Sequence, residues 1–361
     1  MRLSNPLRVL AVLGLPALLS GCNLVVLDPS GHVAVQEGRL IVIATMLMLL
    51  VIVPVIALTV LFAWKYRQGN TSAAYEPNWN HSTQLELVIW AAPLIIIIAL
   101  GAITWITTHT LDPYRPLEHI DAKRPVPDDV APLEVEVVAL DWKWLFLYPT
   151  EGIAVVNELA APVDRPIRFK LTASSVMNAF YIPALAGQIY AMPGMQTQLH
   201  AVINQPGVYD GISSNYSGAG FSGMRFKFHG LSEEDYDRWV LANRQSGAVL
   251  TRDAYLQLEK PSQREPVRRF ASVAPGLYEA ILNRCVEAGK MCLHDMMSID
   301  AKGGGGRAGL GQGATIALPK GWNGLSIRTA ASDVCAADDA QRSSFALSGG
   351  PIAAPRRTAV Q

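Results

Sequence analysis

Hydrophobic and polar positions change their pattern several times along the chain. A basic start at Met1-Arg2 and Arg8 precedes an apolar stretch from Val9 to Leu19, which ends in Leu19-Ser20-Gly21-Cys22. Positive start, short apolar region and small residues before a cut describe an export signal, and the stretch falls short of the roughly 20 residues a comfortable membrane span needs. Two longer runs follow. Leu40 to Trp64 holds 25 residues without a charge and Leu87 to Thr108 holds 22. At about 1.5 Å per residue each exceeds a hydrocarbon thickness of about 30 Å. Trp64, Tyr66, Trp90 and Trp105 stand near their ends, as interfacial aromatics should, and Pro54 and Pro93 are tolerable inside spanning helices. The pattern predicts a transmembrane hairpin over residues 22–110, with spans at about 40–64 and 87–108.

From Leu133 the period shortens to two. Leu133-Glu134-Val135-Glu136-Val137-Val138 alternates apolar and acidic residues, and Pro166–Leu171 and Met224–Phe228 behave alike, each reading as a half-buried strand. Turn residues at Pro183, Pro193-Gly194, Pro206-Gly207 and Gly211 punctuate the interval, as in an all-β sandwich or barrel. At Ser232-Glu233-Glu234-Asp235 a serine followed by acids resembles a helix start, and the helix should run to about Arg244. Pro261, Pro266 and Pro275 frame a further helical stretch, Leu277 to Val286. After Gly303–Gly306 the tail has only Trp322 and Phe345 as aromatics, too few apolar anchors to offset the entropy of ordering. Residues 303–361 are expected to be mostly disordered.

Composition sharpens this layout. Half the residues are hydrophobic and 17% are charged, against about a quarter charged in ordinary soluble domains; the apolar excess is the three runs. Thirty basic residues balance thirty acidic ones, so the chain lacks the basic face of a nucleic-acid binder. Charge does not decide topology, since Lys65 and Arg67 between the spans face Arg39 and Arg115 outside them. The export signal does decide it, leaving residues 109–361 on the outer side. There cysteines can oxidise. Cys285 and Cys292 lie about 10 Å apart along a continuous helix, too far for a disulfide unless the helix breaks at Gly289, so they stay unassigned, as does Cys335.

The ending Leu19-Ser20-Gly21-Cys22 resembles the bacterial lipobox, which implies a signal peptide over residues 1–21 and lipidation at Cys22; a plain signal with an incidental cysteine is the alternative. A hairpin followed by an exported sandwich resembles subunit II of the haem-copper oxidases, and several segments agree. Trp142-Lys143-Trp144-Leu145-Phe146-Leu147-Tyr148 is similar to that family's aromatic-rich segment, Val176–Pro183 to its Val-Leu-His-Ser-Trp-x-Val-Pro segment, and Ala191-Met192-Pro193-Gly194 to its Ala-Ile-Pro-Gly turn. Ser213–Met224 matches the spacing of its copper segment, Cys-x-Glu-x-Cys-Gly-x-x-His-x-x-Met. Pro266–Val273 resembles the post-sandwich aromatic-rich motif of the cytochrome bo-type ubiquinol oxidases, with Arg269 where that motif carries an aromatic.

The resemblance implies a two-helix transmembrane hairpin, an all-β cupredoxin-like sandwich over residues 111–231, and a C-terminal helical extension with the aromatic-rich motif over 232–302. It also maps the family's copper ligands. The bridging cysteines correspond to Ser213 and Ser217, the histidines to Asn178 and Phe221, and the acid between the cysteines to Asn215; only the methionine persists, as Met224. Copper selects thiolate and imidazole donors, whereas serine keeps its proton and phenylalanine has no donor. The expectation is a chain with no metal, no cofactor and no catalytic residue of its own, with Met224 packed in the core. Trp142 and Trp144, one matching the family's electron-accepting tryptophan, read as packing residues on one side of a strand. By the same resemblance the complex oxidises ubiquinol, reduces oxygen to water and pumps protons. The haems, remaining copper and ubiquinol belong to subunit I, with subunits III and IV and membrane lipid as further partners and no cytochrome c. The chain would sit in the bacterial inner membrane with its C-terminal domain periplasmic. Glu86, opening the second span, reads as a carboxylate favoured by the helix dipole, with a position near subunit I's proton inlet as the alternative. A competing function is a periplasmic copper-handling membrane lipoprotein, supported by the soft donors of Met291–Met297.

Overall fold

The computed structural model describes residues 24–302 except Tyr75 and Pro77. The export signal, Cys22, Cys335 and the Gly-rich tail therefore lie outside the described residues. Two helices open the architecture, α1 (His32–Lys65) and α2 (Thr83–Thr110). Each extends past its uncharged run, adding the polar turns His32–Arg39 to the first and Thr83–Glu86 to the second. Ser82 caps α2, its hydroxyl accepting from Leu85 N at 3.5 Å. Glu86 lies in the first turn, 2.7 Å from His81 Nδ1, so the cap is the serine and the carboxylate is a paired first-turn acid. Outside the spans, the start of α1 is tied to the β-domain. Ser30 and Gly31 N–H both donate to Ala184 O, at 3.0 and 2.8 Å. A Cβ on Gly31 would lie 2.4 Å from Leu185 O, so only glycine permits that approach.

The β-domain is built from β1 (Leu133–Leu140), β2 (Lys143–Tyr148), β3 (Ile153–Val156), β4 (Glu158–Pro162), β5 (Ile167–Ala173), β6 (Asn178–Tyr181), β7 (Ile189–Ala191), β8 (Thr197–Ala201), β9 (Gly207–Ser213) and β10 (Arg225–Leu231). The C-terminal layer adds α3 (Glu233–Arg244), β11 (Val249–Leu250), α4 (Arg252–Glu259), β12 (Arg268–Phe270), β13 (Ser272–Val273) and α5 (Leu277–Leu282). One sheet runs β12-β3-β2-β1-β5-β8 and faces another of order β4-β10-β9-β6-β7. The Ser232 hydroxyl accepts from Asp235 N at 3.1 Å, capping α3 where the serine–acid pattern places its start. A separate compact unit begins at Leu293; its described part is helix α6 (Leu293–Ala301).

Period two decides the core. In β2, Trp144, Phe146 and Tyr148 point between the sheets, where Trp144 meets Phe180 edge-on at 5.4 Å and Phe180 stacks on Phe226 at 5.4 Å. Leu145 and Leu147 point the other way and are just as buried, under Leu250, Tyr255, Leu258, Leu277 and Ile281. The half-buried reading of β1 therefore holds only for its first half, because the C-terminal layer covers Val138 and Leu140. Lys143, 1% exposed, fastens that layer: its Nζ donates to Lys260 O at 2.7 Å and to the Ser262 hydroxyl at 2.8 Å. Burial lowers the Lys143 pKa.

Two expectations are corrected. The helix read over Leu277–Val286 stops at Leu282, and left-handed residues follow at Arg284 (φ +55°) and Gly289 (φ +79°). With the helix broken, Cys285 and Cys292 come to 4.8 Å between Cα atoms and form a disulfide. Trp142 is not on the same strand face as Trp144. It sits before β2 in the two-residue turn Asp141-Trp142, at φ +65°.

Candidate functional site

Six positions carry the sequence match to a copper segment, and the fold brings all six to one end of the sandwich. Asn178 opens β6, Ser213 closes β9, and the loop from Ser214 to Met224 joins β9 to β10 through a 3₁₀ turn at Phe221–Gly223. Backbone bonds hold the loop: Ser213 N donates to Met224 O at 3.2 Å, Ser214 N to Ala179 O at 3.0 Å, and Met224 N to Phe221 O at 3.0 Å.

The polar side chains are spent inside this cluster. The Ser213 hydroxyl has Asn178 Oδ1 at 3.2 Å and Asn215 O at 3.3 Å as acceptors. Asn178 Nδ2 donates to Val176 O at 3.1 Å, and Asn215 Nδ2 to Met177 O at 3.1 Å. Asn178, Ser213 and Met224 are buried, so these bonds replace solvation that burial removes. Phe221 packs edge-on against Tyr216 at 5.6 Å. Met224 is 1% exposed and belongs to the inner core. The Ser217 hydroxyl alone in the cluster has no partner.

Trp142 closes the cluster from above. Its indole N–H donates to Ser217 O at 3.0 Å, and its ring covers Gly218 and Gly220. A Cβ on Gly220 would lie 2.4 Å from the ring, and Gly218 has φ +110°, so both positions require glycine. A left-handed tryptophan is uncommon; the indole hydrogen bond and the glycine platform hold it there. The sequence reading missed this because the partner loop lies 75 residues downstream.

A dinuclear copper centre does not fit these donors. It needs bridging thiolates and imidazoles; the cluster supplies two hydroxyls, two amides directed at backbone carbonyls, a phenyl ring and one thioether. Among the described residues no group of three or more His, Cys, Asp or Glu could hold a metal ion. What the arrangement does chemically is fasten three strand ends with a hydrogen-bond network that leaves the Ser217 hydroxyl out.

The sequence reading also left open how Arg269 packs. In β12 it pairs with Glu158, its guanidinium 2.9 and 3.0 Å from the two carboxylate oxygens. Trp239 Nε1 donates to the same carboxylate at 2.6 Å. A charge pair thus stands where the motif carries an aromatic, joining the C-terminal layer to the strand edge.

Residues 133–229 match the family described as cytochrome c oxidase subunit II, periplasmic domain, and residues 244–289 match the COX aromatic rich motif. The chain is 50% identical over 276 residues to the cytochrome bo(3) ubiquinol oxidase subunit 2 of Pseudomonas putida, covering 76% of this chain and 85% of that one. It is 50% identical over 265 residues to the ubiquinol oxidase subunit 2 of Acetobacter aceti, covering 73% and 84%. Against the cytochrome bo(3) ubiquinol oxidase subunit 2 of Buchnera aphidicola subsp. Schizaphis graminum identity is 38%, with 81% and 98% covered. Among solved structures, the periplasmic domain of subunit II of cytochrome oxidase of Bradyrhizobium japonicum aligns at 22% identity over 34% of this chain and 97% of that one, with a TM-score of 0.31. At the identity and coverage of these relatives, the chain belongs to the subunit II family of the haem-copper oxidases, on its ubiquinol oxidase side.

Proposed function

We propose that the chain is subunit II of a membrane terminal oxidase that oxidises ubiquinol, reduces oxygen to water and moves protons, and that it carries no redox centre itself. The observation that carries this reading is the loop cluster: family spacing from Ser213 to Met224, with donors that do not suit copper and hydrogen bonds that close on one another. Haems, the remaining copper and ubiquinol then reside in subunit I, with subunits III and IV completing the assembly. Cytochrome c has no electron acceptor to meet on this subunit. Its work is structural, the hairpin lying in the inner membrane and the sandwich capping the periplasmic side.

Acylation of Cys22 completes the anchor. Its support is the chain just after it: Leu24, Val25, Val26 and Leu27 are all exposed in and beside a 3₁₀ turn. That turn packs on α1 at Gly38, where a Cβ would lie 2.9 Å from Val26 O, two residues before the uncharged run begins. Exposed apolar residues at that level suit the bilayer surface.

The copper-handling reading is not favoured. Its donor run includes Cys292, whose sulfur is bonded to Cys285 and offers no thiolate while oxidised.

Purification of the complex in mild detergent tests the proposal. Oxidation of ubiquinol with no oxidation of reduced cytochrome c, and no near-infrared band of a dinuclear copper centre, are expected. Such a band on this subunit overturns it. Mass spectrometry of the mature N-terminus should find diacylglyceryl on Cys22; a chain beginning at Met1 refutes the anchor.

A further inference from the structure

Where the hairpin meets the sandwich, two cavities join end to end. The upper one, about 500 Å³, lies between the first turns of α1, the segment leaving α2, and the sandwich. Its walls carry both signs of charge, Arg115 on one hand and Asp112 and Glu118 on the other, with Glu37 and the imidazoles of His32 and His119 beside them; burial favours the neutral form of His32. The lower one, about 660 Å³, is a groove between the spans. It shares Glu37, Leu111, Asp112 and Pro113 with the upper cavity and descends past Leu40, Ala44, Ile103 and Leu100. Its helix residues fall on one stripe of each helix, at spacings of three and four.

We infer that this pair of cavities is a binding site for one zwitterionic phospholipid with a primary ammonium head, of the phosphatidylethanolamine class. Chemistry sorts the two ends. The upper cavity presents a guanidinium with five N–H donors, a fit for phosphate, beside carboxylates that accept N–H from an ammonium. Arg115 already pairs with Glu118 on the rim and uses only part of its donor set. Glu37 is held by close approach of the Gly187 backbone, where a Cβ would lie 2.6 Å from Oε1; its position is built, and only glycine leaves room for it. The groove is lined mainly by apolar surface and runs about 10 Å along α1, from Glu37 to Ala44, and about 16 Å along α2, from Leu111 to Leu100. That is close to one leaflet, about half of a 30 Å hydrocarbon core.

Two other amphiphiles fit less well. The chain's own lipidated terminus brings no phosphate for Arg115. The turn that follows it packs at Gly38, on the helix face about 130° from the Glu37–Leu40–Ala44 stripe at 100° per residue. A quinol brings no charge, and would leave the Arg115 donors that Glu118 does not use without acceptors.

Native mass spectrometry of the detergent-purified oxidase complex tests the site, with release of subunit II in the gas phase. Subunit II should leave carrying one phosphatidylethanolamine. In an Arg115→Gln, Glu37→Gln double variant, occupancy should fall about tenfold or more, the scale expected when charge-assisted hydrogen bonds are removed. Ala44→Phe, which fills the groove and leaves the head cavity intact, should lower it similarly. Unchanged occupancy in both variants overturns the site, as does a retained quinone, or an adduct that disappears in Cys22→Ser. A wild-type arm needs no variant: delipidated complex offered equal phosphatidylethanolamine and phosphatidylglycerol should take the former, and equal uptake overturns the assignment. Ubiquinol oxidation and co-purification with subunit I are read in the same samples, so failure of the lipid site is distinguishable from failure of the oxidase reading.

Discussion

The loop end of the sandwich and its outer face have diverged from a half-buried sheet in opposite directions. At the loop end, Asn178, Ser213, Asn215, Ser217 and Phe221 gather, and the polar atoms bond mostly to one another and to nearby backbone. On the outer face of β1, β2 and β3 something has been added: α4, α5 and their connections bury Leu145, Leu147 and Val156, which a bare sandwich would leave in water. The first region spends its polar groups on a loop; the second spends apolar ones on a covered sheet face. The two regions rest on different residues, and each can be attacked separately.

The largest expected effect is chemical. A chain carrying Asn178→His, Ser213→Cys, Asn215→Glu, Ser217→Cys and Phe221→His, with Met224 kept, should pass from binding no copper to holding a dinuclear centre. Elemental analysis and near-infrared absorption read the change. A folded variant that stays copper-free would mean the loop path has changed along with its donors. On the outer face the expected effect is energetic. Replacing both Cys285 and Cys292 by serine opens a loop of sequence separation 7 and should cost about 2–3 kcal/mol in the chain-entropy estimate. Hydrogen exchange should quicken over residues 277–292 while the inner strands stay protected. Equal quickening in β5 and β9 would show that the two regions are one cooperative unit.

How much of this was legible in the sequence depends on the range of the contacts involved. The two long apolar helices followed from uncharged runs and α3 from Ser232 and its acids, because such signals are written within a few residues. The copper segment was legible by spacing, since one loop and the strand residue before it carry five of the six positions. The position of Trp142 was not, because its left-handed turn is held by a hydrogen bond to Ser217 and a glycine platform far downstream. The disulfide was left open in the sequence because it hinged on a helix break at Gly289; left-handed residues at Arg284 and Gly289 supply that break. Nor could periodicity show that Leu145 and Leu147 are covered, because a strand buried on both faces reads as a plain apolar run. The paired charges at the junction cavity come from segments far apart in sequence, and only the fold assembles them.

Arg269 tests how the outer layer is fastened. Its guanidinium is 40% exposed, whereas the Glu158 carboxylate it meets is 11% exposed. Arg269→Ala leaves that carboxylate with Trp239 Nε1 as its remaining side-chain donor. The expected loss is about 1–3 kcal/mol, below that of a fully buried broken pair because one partner is wet. Denaturant titration of Arg269→Ala, Glu158→Gln and the double variant reads it. A double variant as unstable as the sum of the singles would mean the two residues do not interact.

The smallest effect concerns a charge that the added layer half covers. Glu136 of β1 lines a cavity of about 260 Å³ beneath Tyr278 and Glu279. Burial pushes its carboxyl up to about 7 from 4.5, with Glu134 and Glu279 adding to the rise and Lys170 opposing it. A carboxyl whose folded pKa is raised holds its proton more tightly when folded. Stability therefore falls as pH rises from 4.5 through about 7 and stays lower above it. Because the group remains partly solvated, screening reduces the effect to about 1 kcal/mol. Glu136→Gln should remove this slope and make the chain more stable than wild type at pH 8, with little difference at pH 4. Thermal unfolding across that range measures it. An unchanged slope would assign the pH dependence elsewhere and leave the outer layer electrostatically neutral toward the sheet. A flattened slope would mean that covering β1 carries a standing electrostatic cost, which the loop end avoids because its replacements there are uncharged.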